Sequence, residues 1–409
     1  MKIALLSTNY DLGGAAVVTA RLCDALCALG HDARMVVARP GALRDGTKSG
    51  GTPAEVVGKF RWGRAFLAER AELFLRGVRR KDLFKVSTGR FGASLARHPF
   101  VREADAVMVN WASQGFLSLD DFETILDTGR PVIYTMHDLW GATALCHIPG
   151  DCDRYADGSD CRECPYVQGR AGRGLPSEIW DRKRRIFSHP NLRIVAVSTD
   201  QARRASLSPL LAGKDIRVIP HPFPAGLYTV GEKLSPEGKR LIVMAAARLD
   251  DPVKDLPAAV EALNIFAEEH PAVASGVEVS FVGELRDPSL LAPLKLPHSH
   301  LGLLPPASLR DLYSRASVII SSSRYETLGA TLIEGMASGA IPVSFPEGGR
   351  SDIITDSVTG YLATPHTSAS LAASIARALT APISPSLLRS SVESRFSASA
   401  VARRYLSLL

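Results

Sequence analysis

Two glutamates stand eight residues apart in a segment that separates two apolar runs. Glu326 and Glu334 lie in RYETLGATLIEGMASG, after the strand-like run SVIIS and before IPVSF. This order predicts Glu326 in the loop that leaves a strand and Glu334 about two turns into the next helix. Carboxylates accept hydrogen bonds from hydroxyl groups, so the pair indicates a ligand with sugar and ribose hydroxyls.

The residues between the glutamates are expected to open that helix. Thr327, Leu328 and Gly329 would then present free backbone N–H groups, and a helix N-terminus with free amides favours an anion, commonly phosphate. Two glutamates beside a phosphate would repel it. We therefore expect both carboxylates to accept hydrogen bonds from sugar or ribose hydroxyl groups instead. The motif therefore predicts a sugar joined to a nucleoside through phosphates.

Positive charge for such phosphates lies upstream in ARLDDPVKDL. Arg248 is expected at the end of a strand, and Lys254 follows six residues later. The planar fork of Arg and the point charge of Lys would bind a diphosphate and stabilise it as a leaving group. Gly13 and Gly14, after the first apolar run, allow the backbone to approach a ligand closely, although any turn also favours glycine.

Apolar strand-like runs alternate with helical patterns along the chain, which predicts parallel sheets with helices on both faces. We predict an α/β protein of two Rossmann-like parallel-sheet domains that face each other across a cleft. Ligands bind open sheets of this kind at the carboxyl ends of the strands. The predicted parts are an N-terminal domain at 1–222, a Pro-rich hinge at 223–240, a C-terminal domain at 241–385, and a C-terminal helix at 386–409. One alternative for the C-terminal helix is that it crosses back and packs on the N-terminal domain.

The composition excludes several classes of protein. The chain has 409 residues, of which 46% are hydrophobic and 22% charged, the balance of a soluble globular protein with more than one domain. Apolar runs are too short for a transmembrane helix, and MKIALLSTNYDLGG predicts a buried first strand rather than a secretory leader. We therefore expect a cytoplasmic protein.

The formal charge of +6 is concentrated in one segment. Residues 59–90 carry ten basic and three acidic side chains, a net +7, within an aromatic-bearing insertion at 55–100. An amphipathic basic helix there would indicate an anionic membrane surface, which a second basic run at Arg182–Arg185 would extend. The alternative is a helical insertion packed on its own domain with a solvated basic face. A recognisable reader motif for nucleic acid is lacking, so no nucleic-acid partner is expected.

Four of the six cysteines crowd into a cysteine-rich loop, ALCHIPGDCDRYADGSDCRECPY. In a reducing cytosol, a cluster that ends in Cys-x-x-Cys indicates structural zinc before disulfides. The first two spacings are irregular for a zinc ribbon, so zinc and free or paired thiols stay open as alternatives. The four residues are Cys146, Cys152, Cys161 and Cys164.

Over nearly its whole length the chain resembles the GT4 family of retaining, nucleotide-sugar-dependent glycosyltransferases with the GT-B fold. The resemblance rests on LGGAAVVTARLCDAL, YTMHDLW, ARLDDPVKDL, the Glu-x7-Glu segment and EGGRSDIITDSVTGYLA. It implies that Glu326 contacts the donor sugar, Glu334 the ribose, and Arg248 and Lys254 the diphosphate. It also implies that His137 touches the donor sugar and helps to organise the reacting centre; the alternative is a polar strand end satisfied by its neighbours.

The cysteine-rich loop is similar to that of a bacterial GT4 subgroup associated with surface polysaccharides, often on lipid-linked acceptors. That subgroup commonly has His-Trp where this chain has Asn110-Trp111. The resemblance implies a retaining hexosyltransferase, with a UDP-sugar favoured as donor and a glycan or lipid-linked acceptor. The basic segments at 59–90 and Arg182–Arg185 fit such an acceptor, because they would dock the first domain on the inner face of the plasma membrane. No cofactor is expected for catalysis, because Arg248 and Lys254 can replace a divalent cation and the only Asp-x-Asp lies in the cysteine-rich loop.

Rival interpretations lack their motifs. A dinucleotide-dependent dehydrogenase would carry Gly-x-Gly-x-x-Gly after the first strand, which TNYDLGG does not supply. A phosphorylase of the GT-B fold would need a lysine for pyridoxal phosphate, and none is suggested near the motifs. A non-catalytic nucleotide- or sugar-binding protein of the same fold stays open as the alternative function.

Overall fold

The computed structural model describes residues 1–38 and 52–409, which form two compact units. The first unit contains Met1–Phe223 and Ala398–Leu409, and the second contains Pro224–Ser397. The chain therefore leaves the first unit after Phe223 and returns to it after Ser397. Residues 224–240, predicted as part of a hinge, belong to the second unit, where Leu234 forms an isolated bridge with Arg240.

A seven-stranded parallel sheet forms the centre of the first unit. Its strands are β1 (Lys2–Leu6), β2 (Asp32–Val37), β3 (Ala54–Val56), β4 (Ala106–Val109), β5 (Val132–Met136), β6 (Leu192–Ala196) and β7 (Ile216–Val218). They lie in the order β3-β2-β1-β4-β5-β6-β7. The edge strands β3 and β7 have three residues each, too few to show a period of two, so the sequence pattern does not predict them.

Helices cover both faces of this sheet because its strands are apolar on both sides. In β1, alternation places Ile3 and Leu5 in one core cluster and Ala4 and Leu6 in another. Ser118 and Ser198 cap two of the helices by accepting a hydrogen bond from a first-turn N–H. The helices are α1 (Gly14–Ala28), α2 (Lys59–Leu75), α3 (Pro99–Glu103), α4 (Leu119–Leu126), α5 (Leu175–Phe187) and α6 (Thr199–Ser206).

The second unit repeats this plan with a six-stranded parallel sheet. Its strands are β8 (Arg240–Arg248), β9 (Val277–Glu284), β10 (His298–His300), β11 (Ala316–Ser321), β12 (Ile341–Ser344) and β13 (Tyr361–Leu362), in the order β10-β9-β8-β11-β12-β13. Its helices are α7 (Leu256–Glu269), α8 (Pro271–Ala274), α9 (Pro306–Arg315), α10 (Ala330–Ala337), α11 (Ser368–Thr380) and α12 (Pro385–Phe396).

The C-terminal region contains two helices rather than one. After α12, helix α13 (Ala398–Leu406) packs on α1 in the first unit. Its apolar face, with Val401 and Tyr405, joins the core cluster of Ile3 and Leu5. Tyr405 Oη lies 3.2 Å from Thr135 Oγ1 in β5, so the helix is anchored by a buried hydrogen bond as well as by apolar contact.

Within the described ranges, no single helix is both long enough and apolar enough to cross a bilayer. Helices α11 and α12 meet those criteria only when taken together, with a bend of 113° between them.

Each sheet has one point at which the strand order reverses direction. In the first unit this point lies between β1 and β4, and in the second between β8 and β11. The chain leaves such neighbouring strands in opposite directions, which opens a crevice at their carboxyl ends. In each unit, this edge of the sheet is therefore where a ligand is expected.

Candidate active site

The second unit brings two of the predicted residues into direct contact at this edge. Lys254 lies in the loop after β8, and Glu326 lies in the loop after β11. Lys254 Nζ is 2.5 Å from Glu326 Oε1, and Ser323 Oγ donates to the same oxygen at 2.8 Å. Both charged side chains are partly exposed, so the pair can exchange its contacts with a ligand.

The two loops are also held together by hydrogen bonds other than the contact between these two side chains. Ser322 Oγ donates to the carbonyl oxygen of Lys254 at 2.8 Å, and Arg324 N donates to that of Val253, also at 2.8 Å. Arg324 Nε reaches Asp255 at 2.8 Å. The proximity of Lys254 and Glu326 is therefore imposed by the backbone of both loops.

A third segment supports the main chain at Glu326. Gly349 N donates to the Glu326 carbonyl oxygen at 2.9 Å. Gly348 has a φ of +74°, and a Cβ there would lie 2.0 Å from that same oxygen, so only glycine fits. Arg350 is fully buried and donates to the carbonyl oxygens of Ser323 and Glu347. Burial lowers the pKa of Arg350, while the charges of Glu326 and Glu347 oppose that shift.

Arg248, the last residue of β8, is not joined to Glu326. Its guanidinium lies 3.4 Å from Asp250 and 3.3 Å from Asp251, both in its own loop. The structure therefore places Arg248 at the predicted edge of the sheet but pairs it with two aspartates that sequence reasoning did not consider.

The helix after Glu326 begins later than the motif suggests. Helix α10 starts at Ala330, with Gly329 as its N-cap at a φ of +102°. Thr327 and Leu328 precede the cap, and the Leu328 side chain is buried. Glu334 is therefore about one turn into the helix rather than two. It lies beside Tyr313, whose pKa is raised well above its ordinary value by burial and then by the charge of Glu334.

In the first unit, Gly13 and Gly14 lie at the start of α1, in the connection that follows β1. Gly13 is the N-cap at a φ of +92°, and both glycines are exposed. Apart from neighbouring residues of the same segment, no heavy atom of the described chain lies within 4 Å of the position that a Cβ would take on either one. Space for a ligand is therefore open above both.

His137 directly follows β5 and contacts two residues that the sequence analysis did not assign. Its Nε2 lies 3.2 Å from Oδ1 of Asn110, which directly follows β4, and its ring stacks on His221 with a centroid distance of 5.3 Å. Burial lowers the pKa of His137 to about 4 and that of His221 to about 3. Both imidazoles are therefore neutral near pH 7.

Asp138 is the centre of a second network. It accepts hydrogen bonds from Trp111 Nε1 at 2.9 Å, from the backbone N–H of Trp140 at 2.9 Å, and from His147 Nδ1 at 2.7 Å. Burial would raise the pKa of Asp138, but His147 and these hydrogen bonds outweigh that effect and lower it. Because His147 follows Cys146, this network joins the segment after β5 to the cysteine-rich loop.

The four loop cysteines line one small pocket, together with Arg154 and Tyr166. None of these four cysteines forms a disulfide, and burial raises the pKa of Cys146 to about 12 and that of Cys161 to about 11. Within residues 1–38 and 52–409, no three Cys, His, Asp or Glu side chains are already arranged as ligands of one ion. The four cysteines therefore lie around one pocket, but their side chains are not arranged as a metal-binding site.

The comparisons with known proteins agree with this architecture. Residues 231–394, which contain all the predicted charged residues of the second unit, match the model of the family described as glycosyl transferases group 1. The matched segment covers less than half of the chain. A curated relative, glycogen synthase of Thermodesulfovibrio yellowstonii, is 35% identical over 71 residues, which cover 17% of this chain and only 14% of that enzyme.

Solved structures share the fold along the whole chain. HepE of Anabaena, determined with UDP and glucose, has a TM-score of 0.58 at 16% identity, with 100% of this chain and 98% of HepE covered. Sucrose-phosphate synthase of Thermosynechococcus elongatus has a TM-score of 0.61 at 18% identity, with coverages of 99% and 97%. At such identities the likeness shows the fold alone. It confirms the predicted α/β class with two parallel-sheet domains of the GT-B type.

Several residues of the candidate site were not found from the sequence. Ser323, Gly348 and Arg350 lie in or next to quoted motifs, and only their three-dimensional contacts show that they support Glu326. His221 stands between prolines in IPHPFP and carries no sequence signal of its partner, which is 84 residues away.

Proposed function

We propose that this protein transfers a hexose from a nucleoside diphosphate sugar, with a UDP-sugar favoured, to a hydroxyl group of an acceptor. The observation that carries the proposal is the contact of Lys254 with Glu326 at the strand-order reversal of a group 1 glycosyl transferase segment. The Lys254 ammonium group can bind a diphosphate, and the Glu326 carboxylate beside it can accept hydrogen bonds from sugar hydroxyls. The two side chains together therefore suit the point at which a diphosphate is joined to a sugar. The UDP and glucose bound by HepE support the choice of donor.

The proposed reaction proceeds with retention of configuration. The bond from the sugar C1 to the phosphate oxygen breaks, and the acceptor oxygen bonds to C1 on the same face. The acceptor proton passes to the departing phosphate oxygen, so the products are a glycoside and a nucleoside diphosphate. Arg248 and Lys254 stabilise the charge on the leaving group, in place of a metal ion.

Each remaining side chain has one task in this proposal. Glu326 accepts hydrogen bonds from the sugar hydroxyls, and Glu334 accepts them from the ribose. The amides around Thr327 and Gly329 face the phosphates. His137 contacts the sugar that is transferred.

A panel of UDP-, GDP- and ADP-sugars tests donor binding by thermal stabilisation. We expect a UDP-sugar to raise the melting temperature of the wild type and to do so less in Lys254→Met. Lys295→Met, which removes an exposed cation elsewhere in the second unit, is the control. A binding protein without transferase activity is the alternative, and it would show stabilisation without release of nucleoside diphosphate.

We further propose that the acceptor is a lipid-linked or surface glycan and that α2 docks on an anionic membrane. Ala65, Glu69 and Leu73 form the buried face of α2, four residues apart. Phe60, Leu67 and Phe74 lie on the opposite face, seven residues apart, and are 76%, 67% and 57% exposed. An exposed apolar stripe on one face of a helix can insert at the boundary between lipid headgroups and acyl chains.

Basic residues in α2 and in the segment that follows it favour a membrane over a neutral partner. Arg61, Arg64, Arg80 and Lys81 are exposed, and none of them forms an ion pair with a carboxylate in the described part of the chain. Each such cation near an anionic leaflet contributes about 1 kcal/mol. Arg64 also lies over the ring of Phe60 at 5.6 Å, which places charge and apolar surface together.

Structural zinc in the cysteine-rich loop remains a proposal. What supports it is the gathering of four thiols around one pocket, with Lys183 fully buried nearby. Zinc with four thiolates carries a net charge of −2, and Cys146 is the neighbour that most favours the charged form of Lys183. The side chains would have to turn toward one point to hold the ion, since they are not so arranged here.

A further inference from the structure

Asn110 and His137 directly follow the neighbouring parallel strands β4 and β5, which brings their side chains together. Asn110 is 4% exposed. Its Nδ2 donates to the carbonyl oxygen of Met108 at 3.4 Å, so its Oδ1 is the atom that faces His137 Nε2 at 3.2 Å. An amide oxygen only accepts hydrogen bonds, so Nε2 of His137 must carry the ring proton.

The other ring nitrogen of His137 is left without a partner. His137 Nδ1 is a buried atom that makes no hydrogen bond with any described residue, and the same holds for Nε2 of His221. The two rings are stacked with an interplanar angle of 22°. In a neutral imidazole with a protonated Nε2, Nδ1 has a free lone pair. A buried acceptor without a donor costs free energy unless a ligand supplies the donor.

Burial keeps both imidazoles neutral, and the charged groups around them act in opposite directions. Asp138 favours protonation of His137, but burial outweighs it. For His221, burial is again the main cause of the lowered pKa, and the proximity of His137 and then the charge of Arg21 lower it further. Two stacked imidazolium ions would repel each other, so protonation of one ring opposes that of the other.

We infer that Asn110 is a positioning residue that holds His137 as the neutral Nε2–H tautomer, while the stacked ring of His221 fixes the plane of the imidazole, so that Nδ1 accepts a hydrogen bond from a hydroxyl of the bound sugar. This inference rests on the proposed function for the identity of the ligand but not for the state of the imidazole. It gives Asn110 a role: its amide fixes the tautomer. A histidine at the same position could donate to Nε2 as well as accept from it, and would not fix the tautomer in this way.

The tautomer is measured directly by ¹⁵N NMR on the full chain with labelled histidine. The His137 signal is assigned by its loss in His137→Gln. We expect a protonated Nε2, an unprotonated Nδ1 and no titration between pH 8 and about pH 5, because burial holds the pKa well below its ordinary range. A protonated Nδ1, or titration near the ordinary value of 6.5, overturns the inference.

Asn110→Asp tests the positioning role by pH dependence. A carboxylate facing Nε2–H favours the imidazolium, so the pKa of His137 should rise by about one to three units. The acid limb of the pH profile for kcat should move upward with it. Asn191→Asp is the matched control, because Asn191 is a partly buried asparagine of the same unit that donates to Leu126 instead. A pH profile unchanged in a folded Asn110→Asp protein overturns the positioning role.

His221→Phe keeps an aromatic ring against His137 and removes the second titratable group. We expect the Nε2–H tautomer to persist in this variant, since Asn110 sets it.

The outcomes of these experiments distinguish the inference about the tautomer from the proposed function. The expected tautomer in a protein that transfers no sugar would refute the proposed function alone, whereas transfer by a protein with the other tautomer would refute this inference alone.

Discussion

At the scale of single residues, the candidate site depends on atoms that hold the functional groups as much as on the groups themselves. The main chain at Glu326 is fixed by Gly348, Gly349 and Arg350, and the ring of His137 by Asn110. These contacts set where a carboxylate or an imidazole is presented before any ligand binds, which is the preorganisation that transition-state stabilisation needs.

Gly348→Ala should displace Glu326. The new Cβ would lie 2.0 Å from the Glu326 carbonyl oxygen, so the loop must shift. We expect loss of sugar transfer and a loss of stability larger than the roughly 1–2 kcal/mol that a left-handed backbone costs a residue with a Cβ. Gly302→Ala is the matched control, with a φ of +64° and no heavy atom within 4 Å of the added Cβ in the described chain. Equal destabilisation of both variants, with transfer retained, would contradict the assigned role of Gly348.

Acid should destabilise the first unit through His137 and His221. Their folded pKa values are about 4 and about 3, below the ordinary 6.5, so between these values the unfolded chain binds more protons. Stability is therefore fully present above about pH 6.5 and falls as the pH drops toward 4. Each unit of pKa difference costs about 1.4 kcal/mol. Melting temperatures across this range should fall less steeply in the double variant His137→Gln, His221→Phe; an equally steep fall would contradict the assignment.

At the scale of secondary-structure elements, the sequence predicted the central strands well because they are long, apolar and bounded by helices. Edge strands of two or three residues, such as β7 and β13, carried no pattern. The start of α10 was placed too early because Thr327 and Leu328 are compatible with a helix, whereas the left-handed φ of Gly329 sets the true start. Pairings between distant residues, such as His137 with His221, have no local signal at all.

Helix α2 carries the prediction of membrane docking. Replacing Phe60, Leu67 and Phe74 by serine should abolish co-sedimentation with vesicles that contain phosphatidylglycerol, because the exposed apolar stripe is lost while the buried face is kept. Binding should also weaken as the salt concentration rises, because the contribution of the basic residues is electrostatic. Leu303→Ser, at a leucine that is 69% exposed in the other unit, is the control. Binding that ignores both lipid charge and salt would refute the proposal.

The cysteine-rich loop carries the prediction of structural zinc. Protein purified without chelator should contain one zinc per chain by elemental analysis, and Cys161→Ser should lower both that content and the melting temperature. Cys23→Ser is the control, because Cys23 is a buried cysteine that does not line the loop pocket. A zinc content near zero in wild-type protein would leave the loop as a cluster of free thiols.

At the scale of the whole molecule, the chain is two parallel-sheet units, each with one reversal of strand order, and the residues singled out for chemistry follow the strands near those reversals. Sequence patterns predicted this architecture, and residues 231–394 match the model of the family described as glycosyl transferases group 1. What the sequence could not supply is the pairing of side chains at these edges. Arg248 turns to its own aspartates, while Lys254 meets Glu326 across two loops.

The central claim is transfer of a sugar by a site that includes Glu326. The direct test is a transfer assay with a UDP-sugar panel, in which released UDP and glycosylated acceptor are both quantified, for the wild type, Glu326→Ala and Glu268→Ala. Glu268 is an exposed glutamate of α7, paired with Lys295, and serves as the control. We predict transfer by the wild type and Glu268→Ala, and a loss of at least about 100-fold in kcat/KM for folded Glu326→Ala. Transfer at the wild-type rate by Glu326→Ala would contradict the account.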